Sequence, residues 1–285
     1  MSRESRLKEI YRSGELTQEA ATLFRQIVYG HYRRHGRNLS WRATHDPYAI
    51  LVSEIMLQQT PVDRVTSKYE AFLSAFPDFS SLAASPLDAV LAAWQGLGYN
   101  RRALNLKRCA EAVMAEHDGT LPSSIAELEK LPGIGHYTAR AVAAFAFSVP
   151  SVFIETNIRT VFIHHFFHDA EKVHDRDITP LIEGTLDHGN PREWYYALMD
   201  YGSHLKRLHG NPSRRSAHHA VQSPFRGSNR ELRSSILKVI LDKPGLTLEE
   251  IESFLHKSQS DILSNLKQME GEGFIVRRKG RLYIA

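Results

Sequence analysis

The sequence predicts a mostly α-helical protein in two parts, and three observations support this fold class. Apolar side chains recur at helical spacing over the first 206 residues, where no run alternates in the manner of a β-strand. The segment 207–230 then carries five arginines, three histidines and no acidic residue. After it come three short helical patterns and two strand-like runs around a Lys-Gly turn, an order typical of a winged helix-turn-helix.

The helical part is divided by turn signals. Clusters of glycine, proline and serine such as FPDFSS, QGLGYN, HDGTLPSS and LPGIG separate the periodic stretches. The predicted helices cover 17–35, 49–59, 61–76, 86–95, 100–117, 123–130, 136–147, 157–167, 175–188 and 191–205. Their connections are short, as in compact helical folds.

The C-terminal part predicts a separate small domain. NRELRSSILKVILDKPG is a helix that ends at Lys-Pro-Gly, and Thr247 with Glu250 forms the capping box of a second helix. KSQSDILSNLKQMEGEG predicts a third helix and FIVRRKGRLYIA a β-hairpin. We therefore predict a helical domain at 17–206, a basic linker at 207–229 and a winged-helix domain at 230–285, whose third helix would enter the major groove of DNA.

Composition limits the possible function classes. Hydrophobic residues are 42% and charged residues 24% of the 285 residues, as in ordinary soluble proteins. No apolar stretch reaches the ~20 residues of a membrane span, and the N-terminal segment lacks the apolar core of a signal peptide. The single cysteine, Cys109, excludes an intramolecular disulfide and a cysteine-ligated zinc or iron–sulfur site. The net charge of +4 and the basic segment favour a nucleic-acid partner.

The motif LEKLPGIGHYTARAVAAFAF predicts a helix-hairpin-helix at 128–147. Gly133 and Gly135 allow positive φ angles and a close approach of the backbone to a ligand, while Ile134 anchors the turn inside. Exposed N–H groups at the start of the second helix bind an anion, such as a DNA phosphate. An ordinary corner between two helices is the alternative, but the surrounding Leu-Pro and Tyr-Thr-Ala favour the hairpin motif.

Glu54 stands in the otherwise apolar stretch ILVSEIMLQQT. A charge on such a helix face is costly unless it is paired or used, and burial favours the protonated form that a general acid needs. A surface glutamate is the alternative. Gln58 and Gln59 follow at the end of the helix and offer both donor and acceptor groups to a base edge.

Glu155 precedes another apolar helix in SVFIETNIRTVFIHHF. The spacing predicts that this helix starts near Thr156 or Asn157, both good N-caps. A carboxylate at that point is stabilised by the helix dipole, so an acid that only complements the dipole is the alternative to a catalytic one. His164 and His168 are four residues apart on this helix, but no third ligand follows, and we predict no metal site.

The order of these motifs resembles the helix-hairpin-helix DNA glycosylases, and within them the adenine glycosylases of A/G mismatches, the MutY type. SEIMLQQT, GLGYNRRALNL, LPGIGHYTA and a carboxylate-x-Asn about twenty residues later carry the resemblance, which covers about residues 20–206. The endonuclease III branch has a different sequence in place of LQQT.

The resemblance implies a role for each motif. Glu54 would protonate the extruded adenine at N7, and Gln58 would enter the duplex where the base was flipped. The backbone of Gly133–Gly135 would hold a phosphate, often together with an alkali cation. Tyr137 matches a position that is lysine in bifunctional lyases, so an efficient Schiff-base step is not expected. Asn157 would help to hold the catalytic carboxylates.

The chain departs from the family at three points. Glu155 falls where the family has an aspartate, and the extra methylene could misplace the carboxylate that stabilises the sugar cation. The four cysteines of the family's [4Fe–4S] cluster are absent, so no cluster is expected, and Arg214 and Arg215 are candidates to hold that loop. A winged helix replaces the domain that senses 8-oxoguanine, so pairing with 8-oxoguanine is not assumed.

We therefore predict a monofunctional DNA N-glycosylase of base excision repair that flips and excises mismatched adenine. It would be a cytoplasmic, nucleoid-associated monomer, bind double-stranded DNA and contact no membrane. The alternatives are excision of thymine or uracil opposite guanine or of hypoxanthine, and a non-catalytic protein that binds distorted DNA, although a pure binder needs neither Glu54, Tyr137 nor Asn157. Catalytic candidates are Glu54, Glu155, Tyr137 and Asn157, and DNA-binding candidates are Gln58, Gln59, Gly133, Ile134, Gly135, Tyr137, Thr138, Arg214, Arg215, Arg277, Arg278 and Lys279.

Overall fold

The computed structural model describes the backbone of residues 1–285 and every side chain except that of Ser13. Within these residues the helices are α1 (Arg3–Ile10), α2 (Gln18–His35), α3 (Ser40–Ala43), α4 (Pro47–Leu57), α5 (Val62–Ala75), α6 (Phe79–Ala84), α7 (Leu87–Trp94), α8 (Arg101–Glu116), α9 (Ile125–Leu128), α10 (His136–Phe147), α11 (Thr156–Phe166), α12 (Asp175–Thr185), α13 (Pro191–His209), α14 (Asn229–Asp242), α15 (Leu248–Leu255) and α16 (Gln259–Glu272). A hairpin of strands β1 (Ile275–Arg278) and β2 (Arg281–Ile284) follows, and 3-10 turns cover Tyr11–Ser13 and Pro212–Arg215.

The predicted mostly helical fold class is confirmed, and the helices lie close to their predicted bounds. The C-terminal helices and hairpin occur in the predicted order, with Ile275 opposite Ile284 at the open end of the hairpin, although their assignment as a winged helix-turn-helix stays a prediction. Within the residues that the structure describes, no helix is long and apolar enough to cross a membrane.

Three helices, α1, α3 and α6, were not predicted. The sequence FPDFSS was assigned to a turn because it is rich in turn formers, yet its second half starts α6. The Asp78 carboxylate accepts a hydrogen bond from the backbone N–H of Ser81 (2.7 Å), and the Asp78 backbone N–H donates to the Ser81 hydroxyl (3.1 Å), which is a capping box. The same residues that favour a turn therefore start a helix, because the next residues are apolar enough to be buried.

Helix α13 extends four residues past its predicted end at 205 and continues into packed structure. The guanidinium of Arg215 donates hydrogen bonds to carbonyl oxygens at and beyond the C-terminal end of α11, including those of His168 (3.0 Å) and Ala170 (3.2 Å). Backbone bonds join Val173 to Arg215 and Ala217 (2.8 Å each). The first part of the basic segment 207–230 is therefore folded, and Arg215 holds it as predicted for that loop.

The chain forms two compact units. Unit 1 consists of residues 1–50, 123–129 and 134–221, and unit 2 of residues 51–122, 130–133 and 222–285. The boundaries fall inside α4 and inside the predicted hairpin. The domain boundaries predicted from the sequence, at 206 and 229, stay a prediction.

Unit 1 is organised around a close crossing of α11 and α13. Its core is aromatic, with Phe24 packed against Phe162 (5.1 Å between ring centroids) and Trp194 (5.9 Å). At the crossing, a Cβ atom on Gly202 would lie only 2.2 Å from the carbonyl oxygen of Asn157, a distance that no side chain tolerates. Gly202 therefore allows the N-terminus of α11 to rest directly on α13.

A buried carboxylate fixes α13 within unit 1. Asp200 accepts two hydrogen bonds from the guanidinium of Arg42 (2.8 Å each) and two from Arg37, one from its backbone N–H (2.7 Å) and one from its Nε (2.6 Å). Because these partners satisfy both carboxylate oxygens, the pKa of Asp200 is lowered although burial opposes this.

Unit 2 has an equivalent charged brace at Arg102 on α8. One guanidinium nitrogen donates to the carbonyl oxygens of Ile55 (2.8 Å), Met56 (2.8 Å) and Gln58 (2.6 Å) at the C-terminal end of α4. The other donates to Thr60 Oγ1 (2.9 Å) and to the carbonyl of Gly98 (3.0 Å). Burial lowers the pKa of Arg102 to about 10, so the side chain remains charged at neutral pH.

Gly202→Ala should destabilise the protein. The added methyl group forces α11 away from α13, and overpacking of this kind costs about 1–3 kcal/mol of unfolding free energy, seen as a lower Tm in thermal unfolding. Gly271→Ala is the matched control, because Gly271 is an exposed helical glycine with nothing within 4 Å of the added Cβ. The control should be neutral or stabilising; equal losses for both variants would contradict the close crossing.

Arg102→Met should loosen the two turns that Arg102 joins. Each buried acceptor that loses its partner costs about 1–3 kcal/mol, so backbone amides at 57–60 and 97–99 should exchange faster with deuterium. Arg102→Lys should fail to rescue protection, because an ammonium lacks the planar fork. The exposed Arg64→Met is the control; unchanged exchange in Arg102→Met would refute the bracing role.

Candidate active site

Glu54 lies in unit 2, one turn before the end of α4. It is only 6% exposed, and its neighbours Val52, Ile55 and Met56 are buried as well. The predicted burial of this glutamate is therefore correct, and a surface role is excluded. A carboxyl group at such a position is costly unless it is used or paired, which is the setting of a general acid.

The turn after α4 presents two glutamines on a constrained backbone. Gln59 has a positive φ of 55°, an uncommon conformation for a residue with a side chain. Arg102 fixes the carbonyl of Gln58, and the side chain of Thr60 is buried beside the Leu97 carbonyl. The Gln59 amide oxygen accepts a hydrogen bond from Gln222 Nε2 (3.2 Å), so a residue of the linker already engages it.

Of the two glycines in the predicted helix-hairpin-helix turn, only Gly133 has the positive φ angle that we expected. Gly133 has a positive φ of 79° as predicted, and a Cβ atom there would lie 2.6 Å from the Cβ of Asn105 on α8. Gly135 does not need a positive φ: it is the extended N-cap of α10 (φ −88°), and an added Cβ atom would have nothing within 4 Å. Ile134 is buried, so only its backbone can reach a ligand.

The first turn of α10 presents N–H groups without a side-chain cap. Of the two predicted contact residues there, Thr138 is buried and Tyr137 partly buried. The Tyr137 ring packs edge-on against Phe153 (5.6 Å between centroids), two residues before Glu155. Within unit 1, this ring contact therefore joins the start of α10 to the segment that leads into α11.

Glu155 is itself the N-cap of α11, a position that we assigned to Thr156 or Asn157. Its Oε1 accepts hydrogen bonds from the backbone N–H groups of Asn157 (2.6 Å) and Ile158 (3.0 Å). The longer glutamate side chain folds back to reach both groups. Its Oε2 accepts only a longer bond from Asn157 Nδ2 (3.3 Å), so this is the oxygen better placed to meet a ligand.

Lys206 on α13 completes this group, and the sequence interpretation did not include it. Its Nζ donates to Asn157 Oδ1 (2.8 Å), one helical turn after the close crossing at Gly202. Asn157 therefore connects the ammonium to the carboxylate. Burial raises the pKa of Glu155, whereas the Lys206 charge and the three N–H donors oppose the rise. The pKa of Lys206 is lowered, also by burial.

The cationic side chains that we predicted to bind DNA differ in the contacts they make within the protein. Arg215 uses its guanidinium on the carbonyl oxygens at the end of α11, whereas Arg214 is exposed. On the hairpin, Arg277 pairs with Glu270 (3.2 Å) and Arg278 stacks near Tyr283 (5.9 Å). The roles of these residues toward DNA stay predictions.

The donor set does not fit an iron–sulfur cluster. Such a cluster needs several thiolates, and the chain has one cysteine, which is buried in α8. Burial raises the pKa of Cys109 to about 12, which keeps the thiol protonated and unsuited to metal binding. Among the side chains that the structure describes, no group of three or more His, Cys, Asp or Glu is arranged to hold a metal ion.

Comparison with known proteins places the sequence among DNA repair proteins by similarity. The family model described as HhH-GPD superfamily base excision DNA repair protein matches residues 52–180. The adenine DNA glycosylase of Buchnera aphidicola subsp. Baizongia pistaciae is 36% identical over 195 residues, which are 67% of this chain and 54% of that protein. The adenine DNA glycosylase of Mycolicibacterium smegmatis is 46% identical over 134 residues, 47% of this chain and 45% of that protein. The chain thus spans about half the length of these curated relatives.

Solved structures show the same fold. A thermostable thymine-DNA glycosylase superposes with a TM-score of 0.57 at 25% identity, covering 64% of this chain and 86% of that one. A trapped endonuclease III–DNA covalent intermediate superposes with a TM-score of 0.56 at 19% identity, covering 74% and 92%. The motifs, the helical architecture and the matched family model lead to one conclusion. The chain belongs to the HhH-GPD superfamily of base excision DNA repair proteins.

Proposed function

We propose that this protein is a monofunctional DNA N-glycosylase that removes adenine from mismatched DNA. The observation that carries the proposal is the Glu155–Asn157–Lys206 group at the start of α11, in a chain that also buries Glu54. Sequence similarity to adenine DNA glycosylases over two thirds of the chain supports adenine as the base.

In the proposed reaction the adenine is flipped out of the duplex, since its glycosidic bond is inaccessible within the stack. Glu54 donates a proton to N7, and the electron pair of the C1′–N9 bond leaves with the neutral base. The sugar becomes an oxocarbenium-like cation. Water adds to C1′ and releases a proton, which leaves an abasic site.

Glu155 would stabilise the sugar cation through its charge. Its Oε1 is committed to capping α11, so the role falls to Oε2, which Asn157 orients. Fixed charges in a site with little water stabilise a developing cation more strongly than they would in solution. The glutamate reaches the helix N–H groups by folding back, and this supports the idea that it can replace the family's aspartate.

A lyase step is not part of the proposal. Tyr137 occupies the position where the resemblance places the lysine of bifunctional enzymes, and a phenol cannot form a Schiff base. Lys206 is the amine near Glu155, but its Nζ is hydrogen-bonded to Asn157. We also propose that the activity needs no iron–sulfur cluster, because the chain lacks the thiolates.

A second candidate base is thymine opposite guanine. The structure of a thymine-DNA glycosylase shares this fold at 25% identity. Glu155 stands where the family has an aspartate, and a different substrate is one explanation of that departure.

An excision assay on a panel of duplexes distinguishes these functions. Purified protein is incubated with A:G, A:8-oxoguanine, T:G, U:G and hypoxanthine:T duplexes, followed by alkali to cleave abasic sites. Adenine duplexes should be cut. Glu54→Gln should lower the single-turnover rate by about 10²–10⁴-fold, and Glu155→Gln by about 10²–10³-fold. The exposed Glu183→Gln should retain activity.

Cutting confined to pyrimidine or hypoxanthine duplexes would reject adenine as the substrate. No cutting of any duplex would favour a DNA-binding role. Retained activity in Glu155→Gln would remove Glu155 from the mechanism. Borohydride added during the reaction should trap no protein–DNA adduct; an adduct would show a lyase step, and its loss in Lys206→Met would identify the amine.

The pH profile of the single-turnover rate should report the Lys206 charge. Excision needs ionised Glu155, so the acidic limb of the profile falls as the pH drops through the pKa of Glu155. Burial raises that pKa, so the loss begins at a higher pH than an ordinary glutamate would give. Lys206→Met removes the opposing cation and should move the acidic limb to still higher pH.

Lys206→Arg is the conservative variant and should leave the acidic limb near that of the wild type. Lys8→Met is the control for loss of an exposed lysine. A purely structural role for Lys206 predicts the same rate loss at every pH. An acidic limb that stays in place in Lys206→Met would therefore contradict electrostatic support of Glu155.

A further inference from the structure

The C-terminal module, which we define as α14–α16 with the hairpin (residues 229–284), is anchored to α8 within unit 2. Glu272 is the hub: one carboxylate oxygen pairs with Arg101 on α8 and the other with Arg233 on α14 (2.6 Å each). The guanidinium of Arg108 donates to the Glu272 carbonyl oxygen (3.0 Å). Glu272 is only 14% exposed, so its pairs are better shielded from solvent than ordinary surface salt bridges.

A second contact anchors the start of the module. Arg230 donates a hydrogen bond to the hydroxyl of Tyr99 (2.7 Å) and another to the carbonyl of Ser223 (2.6 Å). Tyr99 belongs to the GLGYN turn that Arg102 braces through the Gly98 carbonyl. The module is therefore held at the start of α14 and at the end of α16, and it is not merely tethered by a linker.

The α8 residues that contact Glu272 lie on the same face of α8 as the residue that contacts Gly133 of the helix-hairpin-helix turn. Arg101, Asn105 and Arg108 follow one another at four and three residues, which places them on one helix face over about 10 Å. Asn105 contacts Gly133, while Arg101 and Arg108 contact Glu272. One rigid helix thus fixes both the candidate phosphate-binding turn and the module.

The tip of the β-hairpin concentrates positive charge. Arg278 pairs directly with Arg281 across the two strands, and Lys279 and Gly280 form the turn with positive φ angles of 49° and 76°. All four residues are exposed. Like charges directly opposite each other destabilise a hairpin. Arg281 is partly compensated by Glu250 (3.8 Å), whereas Arg278 lies near the Tyr283 ring (5.9 Å) and has no carboxylate partner among the described ion pairs. A polyanion at the tip would relieve the repulsion.

We infer that the hairpin tip is a second DNA-backbone site, held by α8 at a fixed distance from Gly133 within unit 2. This inference rests on the proposed function, because it takes the duplex as the ligand. The two sites bind one duplex, and the second contact is favoured by the high effective concentration that rigid docking gives. The tip contacts phosphates without reading sequence, as expected for flexible cationic side chains at a duplex backbone.

The inference predicts that affinity depends on duplex length. Arg278→Gln with Lys279→Gln should weaken binding to a mismatched duplex of about three helical turns by about tenfold. Binding to a duplex of about one turn, too short to reach the tip, should not change. The slope of log Kd against log salt on the long duplex should fall by about two, close to 0.9 for each lost phosphate contact. Arg281 is left intact because it donates to the Gly245 carbonyl (2.7 Å).

The control carries Lys172→Gln with Arg176→Gln, which removes the same charge from exposed positions in unit 1. A loss that also appears in this control, or on the short duplex, would show a general charge effect and overturn the inference. Equal affinity of the hairpin variant and the wild type for the long duplex would overturn it as well.

Glu272→Gln tests the rigid docking separately. It keeps the hairpin charges but removes both salt bridges, so the advantage of the long duplex over the short one should shrink. Circular dichroism and thermal unfolding verify that the variant is folded, and an unchanged advantage would contradict docking through Glu272. Failure of the proposed glycosylase function would instead appear as absent excision by the wild type, whatever the length dependence of binding.

Discussion

The contact between α11 and α13 determines the geometry on which the candidate chemistry depends. Gly202 removes the side chain that would separate the two helices, and Lys206 follows one turn later on the same face of α13. The close packing of the two helices therefore fixes the start of α11 without any contribution from charged groups. Asn157 then passes this rigidity to Glu155 through its backbone and its side-chain amide. A helix end that is free to fray could not hold a carboxylate to the fraction of an ångström that catalysis requires.

The two units solve a similar problem in similar ways. Each has an irregular segment near a candidate functional group, and in each a partly buried guanidinium donates hydrogen bonds to backbone carbonyl oxygens. Arg102 gathers the carbonyl oxygens of two turns in unit 2, and Arg215 gathers those at the end of α11 in unit 1. Carbonyl groups at helix C-termini lack intrahelical partners, so a guanidinium satisfies several of them at once. Loops held in this way combine an irregular shape with the rigidity of the scaffold.

Much of the fold could be predicted from the sequence because the helices depend on local sequence patterns. The bounds of α10 were predicted to the residue, and those of α2 and α11 to within one residue, since apolar periodicity and capping residues are short-range signals. Helix α6 was missed because its capping residues are also turn formers. The positions of Glu54 and Glu155 followed from motif order. Their supporting residues did not, because the acceptors of Arg102 on and after α4 and the acceptor of Lys206 lie more than forty residues away in the sequence.

One signal for these missed residues was present in the sequence. Arg102 sits beside the buried Ala103 and Leu104, and Lys206 beside the buried Leu205, so each cation adjoins an apolar stripe. A cation that close to an apolar stripe needs acceptors. Which acceptors it finds depends on the tertiary fold, and sequence spacing contains no information on that point. Sequence spacing is equally silent on Glu155. The tertiary fold determines that Oε1 caps α11 and that Oε2 is left for the proposed catalytic role.

The bond between Gln222 and Gln59 has a consequence for discrimination among bases. Gln59 already has a partner for its amide oxygen when no DNA is bound, so contact with a base is an exchange of hydrogen bonds and not a net gain. The free-energy difference of such an exchange is small, within the ~0.5–1.5 kcal/mol that one hydrogen bond contributes. A base that offers a well-placed donor can displace Gln222, whereas one that does not leaves the original bond in place at no cost. Under the proposed function, the turn would therefore release a rejected base pair at little cost, because Gln59 then regains its bond to Gln222.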